Sequence, residues 1–190
     1  MDLKKTERII HQLLVQISDD PNSKILKETP RRVSQMYKES FSGYDKDAVA
    51  VMKTFPNESN SSLVVVEDID YYSYCEHHLV PFFGKVHIGY VPNKKLAGLS
   101  KFGKVVEIFS KRLQMQERMT KQIADIIEST LQPKGVIVVV EGIHLCMVMR
   151  GIKKINSKTT TTETRGVFAK RGSRVKEDFY YILSQKIKRK

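Results

Sequence analysis

The two cysteines of this chain each stand beside histidines, and the two clusters are far apart in sequence. The first cluster is Cys75-Glu76-His77-His78, and the second is His144-Leu145-Cys146. Three of the five histidines thus lie within three residues of a cysteine. A single cysteine or histidine is more often a core residue, but this joint clustering favours a metal site, because thiolate and imidazole both suit zinc. The fold must then close a gap of 68 residues between His78 and Cys146.

Three of these side chains form the predicted ligand set. Cys75 and His78, three residues apart, can face one ion from a turn or a short helical segment, and Cys146 would complete the site. The CxxH pattern alone is a weak signal, so the prediction depends on the second cluster. Two sulfurs and one nitrogen leave a fourth position for water, which is typical of catalytic rather than structural zinc. Water in that position drops in pKa to about 7 and becomes a nucleophile.

The second cluster is predicted to lie on a strand that runs over residues 136–150. With a period of two, His144, Cys146, Val148 and Arg150 would share one face of the sheet. At about 3.3 Å per residue, His144 lies about 7 Å and Arg150 about 13 Å from Cys146. A proton-transfer group, a metal ligand and an anion clamp in one row would suit a substrate with a ring at one end and phosphates at the other. The alternative for Arg150 is an ordinary surface arginine.

Residues 1–60 are predicted to form a small helical segment. Apolar residues recur at helical spacing from Leu3 to Ile17, before Asp19-Asp20-Pro21 breaks the run. A second helix is expected to begin with Thr29 as its cap and Pro30 at its first position, and to stop by Gly43.

Residues 61–190 show strands, then paired helices, then strands again, which is an α+β order. Within the second predicted strand, Val86, Ile88 and Tyr90 would lie on one face. The predicted strands are 63–66, 84–91, 136–150 and 158–162, and the predicted helices are 102–113, 119–131 and 175–187. We therefore expect one catalytic domain over 61–190 that ends in a basic helix.

The net charge is +12, from 33 basic and 21 acidic residues. Residues 151–190 hold twelve bases and three acids, so +9 of the charge lies there. A polyanion-binding surface would explain this, but a solvated basic face is the more common reason, above all for the tail Lys186–Lys190. No apolar run approaches the roughly 18 residues of a membrane span, and the first residues have no apolar secretory core. Two cysteines do not staple a secreted scaffold, so we expect a cytoplasmic protein with no membrane partner.

Long segments of the sequence resemble the GTP cyclohydrolase I family of zinc enzymes. They are YCEHHLVPFFGKVHIGYVPN (74–93), GLSKFGKVVEIFSKRLQMQERMTKQIAD (98–125), GVIVVVEGIHLCMVMRGIKKINSKTTTTETRGVF (135–168) and the shorter ETPRRV (28–33). The resemblance covers about Glu28 to Phe168. It implies hydrolytic opening of GTP, release of formate and closure to 7,8-dihydroneopterin triphosphate, the first step of folate and tetrahydropterin biosynthesis.

Matched position by position, the resemblance assigns the two clusters their roles. Cys75, His78 and Cys146 would hold Zn²⁺, which is the set already predicted from the residues. His77 and His144 would move protons. The departing ring nitrogen needs an acid poised near neutral pH, and histidine supplies one.

The resemblance also implies a set of substrate contacts. Gln116 and Glu117 would meet the guanine, since a carboxylate accepts two parallel hydrogen bonds from N1–H and the exocyclic amine. The alternative for Glu117 is a surface acid in a helix's first turn. Ser100, Lys101 and Arg150 would face the ribose and triphosphate. Ser100 is also a candidate helix N-cap, and a helix N-terminus itself attracts anions.

The chain departs from the family pattern at two places. Lys104 stands where the family commonly has arginine, four residues after the serine of GLSK, and it follows Gly103. Lysine keeps the charge but loses the two-pronged contact with phosphate, and we retain Lys104 as a triphosphate contact. Glu163-Thr164 replace the usual apolar or small residues, which puts local strand contacts in question.

The implied fold is the tunnelling fold (T-fold), an antiparallel sheet with helices packed on one side. Family members form pentamers that stack into a homodecamer with sites between subunits, so Lys101 and Lys104 would serve a neighbour's pocket. Two alternatives are another T-fold pterin or purine enzyme, and a basic zinc-containing nucleic-acid-binding protein. The first carries different motifs, while the second lacks a four-ligand zinc set and interleaved aromatics. We therefore expect GTP as substrate and no nucleic-acid partner.

Overall fold

The computed structural model of the protein describes residues 1–58 and 60–185. Its N-terminal part is a hairpin of helices α1 (Leu3–Ile17) and α2 (Thr29–Ser40). The Asp2 carboxylate caps α1 by accepting a hydrogen bond of 3.0 Å from the Lys5 N–H. Thr29 is the first residue of α2 and not its cap. A 3₁₀ turn over Leu26–Glu28 leads straight into the helix and places Glu28 at the cap position.

The segment predicted to be helical throughout ends in a strand. After α3 (Ala48–Val51), β1 (Thr54–Pro56) pairs antiparallel with β4 (Lys95–Ala97). The partner strand lies about forty residues further along the chain, so no local pattern marks β1 as a strand.

A five-stranded sheet with the order β5–β2–β3–β6–β7 forms the centre of the fold. Its strands are β2 (Val64–Cys75), β3 (Pro81–Val91), β5 (Leu113–Gln114), β6 (Gly135–His144) and β7 (Thr159–Gly166). Every neighbouring pair is antiparallel except β5, which runs parallel to the last residues of β2. His87 of β3 is buried and accepts a hydrogen bond from the Asp68 N–H, so its role is structural.

Helices α4 (Leu99–Ser110) and α5 (Gln116–Leu131) cover one face of the sheet, as predicted. Val86, Ile88 and Tyr90 project into this core and are at most 1% exposed. The alternation in β3 thus identifies the core face correctly.

The C-terminal helix α7 (Arg174–Ser184) packs on the opposite face, around Phe179. A Cβ atom on Gly89 would lie only 2.6 Å from the Phe179 ring, so glycine is needed for this close approach. Burial of a phenylalanine of this kind stabilises the fold by about 3 kcal/mol. The predicted end of this helix at Ile187 and the tail Lys186–Lys190 lie outside the described residues.

The strand predicted over residues 136–150 is wrong in its last third. Strand β6 ends at His144, and Leu145–Val148 form the helical turn α6. The cause lies in the neighbouring strand: Phe82 pairs with His144, and the next residue of β3 is Pro81, which has no N–H to continue the ladder.

None of the helices in the described part of the chain is long and apolar enough to cross a membrane.

Candidate active site

Cys75 and His78 are brought together by the tight turn that joins β2 to β3. The Cys75 carbonyl accepts hydrogen bonds from the N–H groups of His78 and Leu79, at 3.3 and 2.9 Å. Leu79 takes a positive φ of 52° to close this turn. As a result the Cys75 sulfur lies 3.8 Å from Nδ1 of His78, as the CxxH spacing predicts.

Cys146 reaches the same place through the pairing of β3 with β6. The register sets Phe82 opposite His144, so the chain that leaves β6 emerges beside the turn that begins β3. The ligand atoms of Cys75, His78 and Cys146 all lie within 4.8 Å of one another. The predicted three-residue cluster is therefore present.

The predicted row of side chains on one strand face is absent from this part of the described structure. His144 ends a strand, Cys146 lies in a helical turn, and Arg150 follows that turn, so the spacings of about 7 and 13 Å do not apply. Arg150 nevertheless lies close enough to Cys146 for its charge to favour the thiolate.

The donor set suits zinc. Both cysteines are free thiols, and two thiolates with one imidazole are ligands that zinc prefers. Burial raises the pKa of the Cys146 thiol, and the adjacent Cys75 raises it further, because two thiolates side by side repel each other. A divalent cation between the sulfurs would remove that repulsion. Zn–S bonds of about 2.3 Å in tetrahedral geometry set sulfurs about 3.8 Å apart, a spacing that small movements would reach from here.

His144 stands beside the cluster in a defined orientation. Its ring stacks on Phe82 with centroids 4.5 Å apart and planes 7° apart, and its Nε2 lies 2.8 Å from Oε1 of Gln116. Burial lowers the pKa of His144, and the nearby Glu117 carboxylate partly offsets that effect. A half-buried imidazole that is neutral near pH 7 can accept and return a proton.

His77 also approaches the cluster, from its exposed side. Its Nδ1 lies 3.9 Å from the Cys75 sulfur. Between the cysteine and the two histidines, Glu76 is held by Arg118 of α5, with Nη1 3.3 Å from Oε1 and a second, shorter contact between Nη2 and Oε2. The hydrogen bond from Arg118 lowers the pKa of Glu76. This ion pair ties the turn to the start of α5.

The two predicted guanine contacts point in different directions. Glu117 is exposed at the second position of α5, close enough to His144 to influence its pKa. Gln116 is 1% exposed and its side chain is turned into the fold. Helical periodicity could have shown this, because Gln116, Thr120, Ile123 and Ile127 follow one buried stripe.

Ser100 and Lys101 lie in the first turn of α4, far from the cluster, and Lys104 lies near the middle of that helix. The end of α4 leads into β5, which pairs with Cys75, so this end lies next to the site. At about 1.5 Å per residue, Ser100 lies about 15 Å further along the helix. Ser100 and Lys101 are thus set well apart from the metal cluster of the same chain, while Lys104 lies about 9 Å along the helix from its near end. Gly98 occupies the N-cap of α4, so the N-cap assignment for Ser100 is wrong.

Sequence reasoning missed the residues that support His144. Phe82 stacks on its ring, and Gln116 is itself bound by Tyr71 and Thr161. Aromatic residues and threonine are common in strands, so their sequence pattern does not distinguish residues that position His144 from residues that only pack.

An open site of two thiols and one imidazole, at the end of a sheet backed by two helices, is the arrangement that a metal-dependent hydrolase of the tunnelling-fold class needs. Comparison with known proteins narrows this class. The chain belongs to the GTP cyclohydrolase I family, whose sequence profile matches residues 6–183.

Individual relatives agree with that assignment. The chain is 49% identical over 170 residues to GTP cyclohydrolase 1 of Carboxydothermus hydrogenoformans, covering 89% of this chain and 88% of the relative. It is 50% identical over 172 residues to the Clostridioides difficile protein of that name, covering 90% of each. A crystal structure of an archaeosine synthase, QueF-Like in the apo form, covers 56% of this chain and 95% of that one, with 18% identity and a TM-score of 0.46.

Proposed function

We propose that this protein is a zinc-dependent, cytoplasmic GTP cyclohydrolase I. It opens the imidazole ring of GTP, releases C8 as formate and forms 7,8-dihydroneopterin triphosphate, which begins folate and tetrahydropterin biosynthesis. The observation that carries the proposal is the convergence of Cys75, His78 and Cys146 beside His144, in a member of that family. Neither a membrane nor a nucleic acid is needed as a partner.

Cys75, His78 and Cys146 would hold the zinc. Zinc with three protein ligands supplies Lewis acidity and lowers the pKa of water to about 7. The Cys75 side of the cluster is buried and the His78 side is exposed. Substrate can therefore approach from the histidine side, while Cys75 is fixed at the end of β2 and Cys146 in the helical turn that follows β6.

His144 and His77 would move the protons of the reaction. His144, oriented by Phe82 and Gln116, is placed to give a proton to the ring nitrogen that departs when the imidazole opens. His77 is exposed, so it can exchange protons between the site and solvent. The later ribose rearrangement needs only such proton transfers.

Glu117 would recognise the guanine. Its exposed carboxylate, beside His144, can accept two parallel hydrogen bonds from N1–H and the exocyclic amine. Gln116 would meet the same base through its main-chain N–H, because the first N–H groups of a helix have no intrahelical acceptor and its side chain is engaged inside the fold.

Arg150 of this chain, and Ser100, Lys101 and Lys104 of a neighbouring one, would bind the ribose and triphosphate. The distance along α4 supports this division, since one chain does not bring the two groups together. A homodecamer of two stacked pentamers would place the start of one subunit's α4 at the next subunit's metal cluster. Sedimentation velocity tests the assembly, and full activity in a monomer would contradict shared sites.

The assay that tests the function is formate release from GTP labelled at C8. The zinc-loaded protein should release one formate per GTP, and activity should disappear on chelation and return with zinc. Cys146→Ser should bind less zinc and release no formate. Formate release that survives complete removal of zinc would contradict the proposal, as would the absence of formate with zinc fully loaded.

Glu117→Gln tests the guanine contact separately. It should raise KM for GTP strongly and leave zinc content unchanged. The amide has an NH2 group in place of one carboxylate oxygen, so a donor would face a donor of the guanine. The matched control is Glu177→Gln, which alters the acid in the first turn of α7. Equal KM values for Glu117→Gln and wild type would contradict the assignment.

A further inference from the structure

A chain of partly buried hydrogen bonds runs from β7 through α5 to His144. The hydroxyls of Thr161 and Thr120 lie 2.6 Å apart, and Thr161 also lies 3.2 Å from Nε2 of Gln116. At the other end of the same amide, Oε1 of Gln116 lies 2.8 Å from Nε2 of His144. These contacts join a strand at the far side of the sheet to the proposed proton-transfer group.

The number of protons available determines which group donates in each of these hydrogen bonds. The single hydroxyl proton of Thr120 is donated to the main-chain carbonyl of Gln116 at 2.7 Å. The Thr161 hydroxyl must therefore donate to the Thr120 oxygen, since each hydroxyl has only one proton. That leaves a lone pair of the Thr161 oxygen to accept a hydrogen bond from Nε2 of Gln116.

The amide of Gln116 can take only one orientation. The two hydrogens of its Nε2 face three acceptors, the Val140 carbonyl at 2.9 Å, the Thr159 carbonyl at 3.1 Å and the Thr161 hydroxyl, so one hydrogen is shared. A flipped amide would set its oxygen against these two carbonyl oxygens and leave all of them without donors. The oxygen of Gln116 consequently faces His144 and can only accept.

His144 must then donate from Nε2, which leaves Nδ1 with the lone pair when the ring is neutral. The Phe82 ring holds the plane of the imidazole, and the contact with Gln116 selects the ring edge that faces into the fold. Tyr71 adds a second contact to the amide oxygen at 3.5 Å. Burial raises the pKa of Tyr71, so its hydroxyl keeps its one proton, which the Glu141 carbonyl at 3.2 Å shares with the Gln116 oxygen.

We infer that Thr161 is a positioning residue of the active site, which acts through Gln116 to hold His144 with Nε2–H directed into the fold and Nδ1 free for proton exchange with substrate. The catalytic part of this inference rests on the proposed function. The orientation of the ring does not.

Thr161→Val removes the hydroxyl and keeps the shape of the side chain. It takes away one of the three acceptors around Nε2 of Gln116, so the amide, and His144 with it, is held less firmly. We expect kcat for formate release to fall about three- to tenfold, the equivalent of one neutral hydrogen bond, with KM and zinc content unchanged. Thr161→Ser should restore kcat, because it returns the hydroxyl. Thr162→Val, the same change at the adjacent exposed residue, is the matched control.

A purely structural role for Thr161 would lower the melting temperature of Thr161→Val and leave kcat at 25 °C unchanged, and this result would overturn the inference. Failure of Thr161→Ser to restore kcat would also overturn it. If the wild type released no formate, the proposed function would fail, and the orientation would be decided by the next measurement.

Magic-angle-spinning NMR of protein labelled with ¹⁵N-histidine reports the orientation directly, even if Thr161→Val does not fold. His144 is one of five histidines and is identified by the loss of its signals in His144→Asn. At pH 8 the wild-type zinc protein should show His144 as the neutral tautomer with its proton on Nε2. A proton on Nδ1 would overturn the inference.

Discussion

Gly142→Ala should disconnect His144 from its support. Gly142 lies in β6, and its backbone is held by ladder pairing to Gly84 on one side and Thr159 on the other. A Cβ atom at this position would lie 2.3 Å from Oε1 of Gln116 and 2.6 Å from the Tyr71 hydroxyl. The strand is fixed on both sides, so the amide must give way.

The size of the effect follows from these distances. Oε1 must retreat by about 1 Å to reach ordinary van der Waals contact, which stretches its 2.8 Å contact with His144 beyond hydrogen-bonding range. Overpacking of this kind costs about 1–3 kcal/mol, and the lost hydrogen bond adds about 1 kcal/mol. We therefore expect the free energy of unfolding to fall by about 2–4 kcal/mol. Formate release should fall by about 10- to 100-fold, part of the usual contribution of a positioned acid–base group.

Urea unfolding and the labelled-GTP assay measure the two effects on the same preparation. Gly103→Ala is the matched control: its Cβ meets no atom within 4 Å, and alanine in a helix should stabilise α4 by about 0.5–1 kcal/mol. If Gly142→Ala keeps wild-type turnover and stability, then the contacts of Gln116 with His144 do not have the role assigned to them.

Three further outcomes are expected. Burial lowers the pKa of His144 below the ordinary histidine value near 6.5. The folded state therefore takes up this proton less readily than the unfolded state, and its stability falls as the pH drops below that value. His144→Gln should remove this pH dependence of the free energy of unfolding in urea between about pH 5 and 7. Arg165→Met should lower the free energy of unfolding by about 1 kcal/mol, because this arginine joins Asp125 and Glu163 across α5 and β7. Phe179→Ala should cost about 3–5 kcal/mol by calorimetry and leave zinc affinity unchanged, since α7 packs on the other face.

The metal cluster could be predicted because the residue types themselves, cysteine and histidine, are typical zinc ligands. Two cysteines flanked by histidines most often bind a metal, and the spacing of three residues already predicts that Cys75 and His78 face one ion. Alternation in β3 likewise identified Val86, Ile88 and Tyr90 as core residues, because a period of two directly records which face is buried.

The parts that sequence reasoning missed depend on distant partners. The run after His144 is apolar enough for a strand, but its pairing stops because of Pro81 in another strand. The resemblance assigns Gln116 to the guanine, but only the register of β6 with β7 shows that Thr161 and Val140 take up its side-chain amide. No window of local sequence contains that information.

The central claim is that Cys75, His78 and Cys146 hold an open zinc site, and X-ray absorption at the zinc K-edge tests it most directly. Protein loaded with one zinc per chain should show two sulfurs at about 2.3 Å and two lighter ligands at about 2.0–2.1 Å. In Cys146→Ser the sulfur count should fall to one. A zinc environment without sulfur, or one that is unchanged in Cys146→Ser, would contradict the account.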